Sequence, residues 1–356
     1  MVLDEITKNH RSDDTALAKA FRQTSVIIPV KDDVRVTACI DSIDEEVEVV
    51  LALNGASPEV KEISRTHPRG LVSVEIAEPN LGAAYNAGAE MASGRYLLFM
   101  DSDCLFAPGT IRALVREVVQ HPVAKGRVKF AAGDSALSRI VQNSRTFQIA
   151  DHVNAYSPPL IYDRTIIPAM GGYHYSSLIH WEEDREFDFR LQLAGLSVVY
   201  LPDAVVHHAA QDGVSDLRSG FRYGLGEGIG QELGLFITPS LLWRLWNDVT
   251  SIAQVARRKG LKTAAYRTAW LMSYHLGTLY HHWRDPYGVR AHYPPSAQRI
   301  RVGRGVPGHA TKLEERHREA LRLAHQRSGR VIKPVAGPVV DAGPVVAYSP
   351  GERLLS

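Results

Sequence analysis

Only two cysteines, Cys39 and Cys104, occur in 356 residues. No disulfide framework is therefore expected, and a reducing, cytoplasmic setting is the simplest account. No run of about 18 uncharged apolar residues exists, the length a membrane-spanning helix needs. The nearest case, Thr268–Tyr280, is too short and too polar to span a bilayer. The opening stretch Met1–Arg22 is polar and mixed in charge. It has no apolar core of the kind a secretory leader requires, so none is expected. Strong charge is missing too. A net charge of +2 and a pI near 8.4 are too mild to argue for nucleic acid.

What is present is ordinary globular material, with 45% hydrophobic and 22% charged residues. A chain of this length can bury a large core, as one big domain or one domain with an appendage. Its most informative stretch is Tyr96–Asp103, reading Tyr-Leu-Leu-Phe-Met-Asp-Ser-Asp. An unbroken apolar run suits a strand buried on both faces of a parallel sheet. It ends in Asp101 and Asp103, where ligands of open α/β sheets bind. Two carboxylates spaced this way make a hard, oxygen-only site suited to Mg2+ or Mn2+, which commonly carry substrate phosphates.

Along the chain, apolar runs alternate with helical patterns. Ser25–Val30, Val47–Leu53, Val72–Ile76 and Tyr96–Met100 read as strands. Val34–Ile43, Pro58–Thr66 and Asn80–Gly94 read as the helices between them, the last rich in small residues and closed by glycine. That alternation predicts βαβ units and a parallel sheet. Further on, Pro108–Gln120 and Ser135–His152 are expected as helices, and Arg127–Ala132 and Leu160–Pro168 as strands. Trp181–Leu193 is a helix with acids in its first turn, which suits the helix dipole. Leu196–Leu201 is a strand, followed by the run Ala204–His208, which ends in two imidazoles. From Leu241 the texture turns to long helical patterns with Trp243, Trp246, Trp270 and Trp283. Thr311–Glu314 is a capping-box signature opening a basic helix to about Arg327. The end repeats Ala-Gly-Pro-Val-Val and reads as a loose tail.

Several separated motifs, in order, resemble a family 2 glycosyltransferase of the GT-A fold. Val26–Val30 resembles its opening strand. Asn80-x-Gly82-x-x-x-Asn86-x-Gly88, followed by Ser93–Tyr96, resembles its nucleotide-side helix. Met100–Asp103 resembles its metal motif. Gly171–Tyr173, then Glu183-Asp184 with Arg190-Leu191 and Ala194-Gly195, resembles its acceptor-side motif. Pro202-x-Ala204-x-Val206-x-His208 resembles its closing strand. The resemblance covers roughly Thr24–His208. It departs from the family at Leu53-Asn54, where an acid is usual, and at Asp32, where Asn is common.

The resemblance implies a GT-A-type, mostly parallel sheet flanked by helices, with a helical C-terminal extension. The expected divisions are an N-terminal segment (1–22), a glycosyltransferase domain (23–238), a helical region (239–332) and a tail (333–356). It implies transfer of a sugar from a nucleotide diphosphate sugar, UDP-linked by family habit, to an acceptor hydroxyl of unidentified chemistry, with inversion. Pro29, Val30, Asp32, Asn54, Asn80, Gly82, Asn86, Asp101 and Ser102 fall on the donor-binding side. Asp103 is the expected metal ligand, for Mn2+ or Mg2+, and Asp101 would hold ribose or metal. His208 is the expected completing ligand, with His207 the other choice. Asp184 is the expected general base, with Glu183 and Glu182 close by as alternatives. Arg185 and Arg190 could meet phosphate or simply form salt bridges on the helix. The basic segment Arg299–Lys333 leaves peripheral contact with a membrane surface open. Two other readings stand beside this one. A sugar-phosphate nucleotidylyltransferase should carry a glycine-rich loop after the first strand, and Pro29–Asp33 has none. A non-catalytic nucleotide-sugar binder would have no need of Asp101, Asp103 and Asp184.

Overall fold

The computed structural model describes residues 15–76, 79–147, 154–233, 235 and 240–289. The expected basic helix after Thr311, the segment Arg299–Lys333 and the tail lie outside the described residues. Two compact units are distinguished, Met1–Ile166 with Val198–Gln211, and Ile167–Ser197 with Asp212–Ser356.

The first unit is an eight-stranded sheet in the order β3-β2-β1-β4-β7-β6-β8-β5. Helix α1 (15–22) leads into β1 (Thr24–Val30), whose residues are all buried. Helix α2 (Val36–Asp41), β2 (Glu48–Asn54), α3 (Pro58–Thr66), β3 (Val72–Ile76), α4 (Leu81–Met91) and β4 (Tyr96–Phe99) follow. Strands β1 to β4 form a parallel half as expected, with Val30 beside Leu53 and Ile27 beside Phe99. Both faces of β1, β2 and β4 are covered, so these strands read as apolar runs, while the edge strand β3 alternates half-buried and exposed residues. The Asn80 side chain caps α4 by accepting from the Ala83 N–H at 2.8 Å.

Beyond β4 the alternation fails. A three-residue strand, β5 (Cys104–Phe106), follows with no helix between them. After α5 (Thr110–Val118), β6 (Val123–Phe130), α6 (Ala136–Arg145) and β7 (Leu160–Asp163), the sheet closes with β8 (Val199–His208). Strand β7 is antiparallel to β4 and β6, and β5 is antiparallel to β8.

Several boundaries differ from expectation for physical reasons. Strand β6 begins at Val123 rather than Arg127 because Lys125 is buried, its Nζ donating to Asn154 Oδ1 at 2.5 Å. A lysine in an apolar run looks like solvent until a partner is supplied. Strand β7 stops at Asp163, and Arg164–Met170 is a 3-10 helix rather than more strand. The Asp163 carboxylate turns the chain there by accepting from the Thr165 N–H at 3.0 Å. The two expected strands near 196–208 are one, with Pro202 accommodated where the register shifts opposite Gly126/Arg127. Helix α4 ends at Met91, short of the glycine.

Gly94 instead serves packing. A Cβ there would lie 2.5 Å from Ser25 Oγ and 2.8 Å from the Gln23 carbonyl oxygen. Gly88 is similar, since its Cβ would meet Ile27 Cγ2 at 2.6 Å. This explains the small-residue helix through close helix–sheet approach.

The second unit holds α7 (Glu183–Leu193), α8 (Gly213–Leu233), α9 (Leu241–Lys259) and α10 (Leu261–Arg284). Helix α8 was not anticipated, because its glycines argue against a helix. They are tolerated because α8 and α10 meet backbone to backbone. A Cβ on Gly224 would lie 1.8 Å from the Tyr274 carbonyl oxygen, and one on Gly277 would lie 2.0 Å from that of Phe221.

Gly94→Ala should destabilise the protein by about 1–3 kcal/mol, the usual cost of overpacking, because backbone atoms of Gln23 and Ser25 obstruct the Cβ as well as Ser25 Oγ. A urea melt beside Glu90→Ala, an exposed control on α4, tests this. Equal midpoints for the two variants would refute it.

Candidate active site

The aspartates stand where β4 ends. Asp101, Asp103, Cys104 and His208 each offer a ligand atom, and these atoms lie within 4.8 Å of one another. Two strands make this happen. The chain runs from β4 through Asp101 and Asp103 into β5, and β5 pairs with β8 so that Cys104 faces His208 and Leu105 faces His207. Side chains alternate along a strand, so His208 is buried at the cluster while His207 is exposed.

His208 Nδ1 lies 2.8 Å from the Ala209 carbonyl oxygen. A carbonyl only accepts, so Nδ1 carries the proton in the neutral ring and Nε2 keeps its lone pair. Nε2 lies 3.6 Å from Asp103 Oδ2. Tyr85 donates its hydroxyl to Asp101 Oδ1 at 3.2 Å. Tyr85 is itself fixed edge-on against Phe99, which stacks on Tyr162.

Electrostatics set the protonation of the cluster. Burial first, then the neighbouring Asp103 charge, push the Asp101 carboxyl up to about 6. Burial and the same aspartates push the Cys104 thiol well above its ordinary value, so it stays protonated at neutral pH. Two carboxylates and one imidazole are then the available donors. Such an oxygen-and-nitrogen set fits Mn2+ or Mg2+, with imidazole favouring Mn2+. Both cysteines are free and buried.

Arg35 and Asp33 were not singled out from the sequence. Arg35 grips Asp33 through Nε at 2.8 Å and Nη2 at 2.7 Å, and its Nη2 lies 3.5 Å from Asp103 Oδ2. That fork holds the Asp33 carboxyl below its ordinary value. Asp32, the residue expected on the donor side, is exposed on the same loop. Only a cation two residues past a pair of acids hinted at the fork.

The other donor-side residues line the same edge of the sheet in part. Pro29 and Val30 are buried in β1. Asn54 Oδ1 accepts from the Asn80 N–H at 2.8 Å, tying the end of β2 to the start of α4. Gly82 is buried, while Asn86 and Ser102 are half-buried.

Glu183 and Asp184 belong to the second unit. Trp181 enters their helix with φ of 79°, a left-handed conformation costly for a tryptophan. Gly226 makes room there, since its Cβ would lie 2.4 Å from the His180 carbonyl oxygen. Glu182 and Glu183 are buried and Asp184 is half-buried. Burial foremost raises the Glu182 carboxyl well above its ordinary value, against the pull of Arg185. Asp184 Oδ1 accepts from the Arg185 N–H at 2.7 Å.

The two arginines considered for phosphate are engaged within this unit. Arg190 is buried, donates to Glu186 Oε1 at 2.6 Å and reaches the carbonyls of Met170, Tyr173 and His174. Its guanidinium lies 3.7 Å from the centre of the Tyr173 ring. Arg190 therefore holds the Gly171–Tyr173 loop to α7. Arg185 pairs with Glu227, which Arg244 also reaches at 3.2 Å.

A mostly parallel α/β sheet with an acidic, metal-competent tip at a strand end defines a class of nucleotide-binding enzyme domains. Within that class, residues 25–178 match the model for glycosyl transferase family 2. No curated protein matches the chain. Among solved structures, it is similar to the mannosyltransferase PcManGT from Pyrobaculum calidifontis, in complex with GDP-Man and Mn2+. There the identity is 16%, over 75% of this chain and 88% of that one, with a TM-score of 0.49. It is also similar to residues 1–349 of TarS from S. aureus, at 18% identity over 72% of this chain and 92% of that one, with a TM-score of 0.44.

Asp101 gives a pH signature. Its folded value near 6 exceeds its ordinary 3.8, so the folded state binds the proton more tightly than the unfolded state. The stability it contributes is fully present below about pH 4 and is lost as pH rises through 6. Urea midpoints in chelator from pH 4 to 7 should fall less steeply in Asp101→Asn than in the parent. Parallel profiles would contradict the shift.

Proposed function

We propose that this protein moves a sugar from a nucleotide diphosphate sugar, UDP-linked, to an acceptor hydroxyl with inversion of the anomeric centre. The observation that carries the reading is the convergence of Asp101, Asp103 and His208 within and beside a matched family 2 domain. Asp103 and His208 would hold Mn2+ or Mg2+, with Asp101 beside them. When bound, the metal neutralises charge growing on the diphosphate leaving group. The backbone at Pro29 and Val30, with Asp32, Asn54, Asn80, Gly82, Asn86 and Ser102, would form the donor side.

The acceptor oxygen attacks the anomeric carbon as the bond to the diphosphate oxygen breaks, so one displacement inverts the centre. The hydroxyl proton must leave during attack. Asp184 is the proposed base, because it is half-buried while its neighbours Glu182 and Glu183 are buried. Glu182 also carries a raised carboxyl pKa, which favours its neutral form. The proposed domain limits remain 23–238 for the transferase and 239–332 for the helical region.

A thermal-shift screen of nucleotide sugars with Mn2+ identifies the donor. Asp103→Ala should then lose the metal-dependent shift together with transfer. Asp184→Asn should keep the shift and lose turnover by roughly 100- to 10,000-fold, the usual worth of a general base. Full turnover in Asp184→Asn would remove it as base. An unshifted parent protein with every donor would overturn the transferase reading.

A further inference from the structure

The α9–α10 hairpin buries apolar and polar side chains alike: Tyr266, Trp270 and Leu271 beside Thr263, Arg267, Thr278 and His281. Its exposed side carries apolar stripes. On α9, Leu242 is 79% exposed and Trp246 is 70% exposed, with Leu245 and Val249 exposed on the turns around them. On α10, Leu261, Ala265, Ala269, Met272, Leu276 and Trp283 recur at helical spacing, and all are exposed. Trp283 is 71% exposed.

The two apolar stripes lie at the same level of the hairpin. His275 Nε2 meets Asp248 Oδ2 at 2.8 Å, which sets the antiparallel alignment of the helices. Exposed leucines and tryptophans recurring along one pair of helices mark an interaction surface rather than singly scattered apolar residues.

The charges say what kind of surface it fits. Arg257, Arg258, Lys259 and Lys262 are exposed around the turn at Gly260, and Arg284 is exposed at the far end. No acidic residue of α9 or α10 is in the exposed class. Arg284 lies 4.2 Å from the centre of the Trp283 ring, a cation riding on an aromatic at the rim of an apolar stripe. Neither helix is long and apolar enough to cross a membrane. Tryptophan and leucine on one face with lysine and arginine at its borders is the chemistry of a helix lying in an anionic lipid interface.

We propose that the outer face of the α9–α10 hairpin docks on anionic lipid bilayers, with Trp246 and Trp283 entering the headgroup–acyl boundary and the flanking cations meeting lipid phosphates. This surface is independent of the aspartate cluster and of the transferase reading.

The test is co-sedimentation of the full chain with phosphatidylcholine vesicles, with and without about one-third phosphatidylglycerol. Binding to the anionic vesicles should exceed binding to neutral ones by at least tenfold and weaken in high salt. Tryptophan emission should shift to the blue and be quenched by brominated acyl chains. Trp246→Ser with Trp283→Ser should lose binding and quenching together while keeping the parent's helical circular dichroism. A soluble full chain that ignores both vesicles would overturn the proposal. So would light scattering that finds a dimer which the double variant converts to monomer, because a second copy would then own the face.

Discussion

The register between β5 and β8 is the constraint on which the aspartate site depends. Facing Cys104 with His208 brings an imidazole from the last strand to carboxylates more than a hundred positions earlier. A slip of one residue would present His207 instead and turn His208 to solvent. The register is pinned from both sides. Thr110 donates to the Val205 carbonyl at 2.8 Å and accepts from the Val205 N–H at 3.1 Å. Across the strand, Phe130 of β6 pairs with His208 in parallel, after the shift at Gly126/Arg127 has absorbed the extra residues of β8. Gly126 is obligatory for that shift, since a Cβ there would lie 2.3 Å from the Ala204 carbonyl oxygen. A bulge and a threonine thus fix which histidine the site receives.

The second unit uses the opposite economy, placing charge where the first places hydrocarbon. Burial alone would raise the Glu227 carboxyl, yet Arg185 and Arg244 hold it below its ordinary value. Tyr274 and Gln231 add hydrogen bonds to the same group. A buried carboxylate of this kind is tolerable only when its partners are fixed. The glycines of α8 fix them by letting α10 approach until Thr278 Oγ1 donates to the Gly224 carbonyl at 2.9 Å. Helix-weakening residues and buried ions are therefore two halves of one arrangement.

This division explains what the sequence could show. Strands β1, β2 and β4 were legible because burial on both faces makes an apolar run, and β3 because apolar and polar residues alternate along it. The Asp101–Asp103 tip was legible because it ends such a run. Helix α8 was not, because its stability comes from backbone contact with a helix about fifty positions later, which no local propensity records. Strand β7 was legible from Leu160 onward, but β5 and the start of β6 were not. The three residues of β5 are too few to show a period, and Lys125 masked the start of β6. Arg35 escaped notice because its importance lies in distance to Asp103, not in spacing along the chain. Of the two readings open for Arg190, phosphate contact or a salt bridge on its helix, the structure shows the second, with Glu186, and adds three backbone carbonyls.

The charge balance at the strand end follows from these placements. Asp33, Asp101 and Asp103 gather at one edge of the sheet, and Arg35 serves them unequally. Its fork is committed to Asp33, and Asp103 receives only a 3.5 Å contact. Asp101 receives only a neutral phenol from Tyr85, too weak to offset burial and the Asp103 charge, which push its carboxyl up to about 6. Like charges this close to one another in a buried site resist full ionisation unless a further cation joins them. A divalent ion between Asp101, Asp103 and the Nε2 lone pair of His208 would supply that cation without asking Arg35 to leave Asp33. The fork thus leaves Asp103 with a single 3.5 Å contact from Arg35.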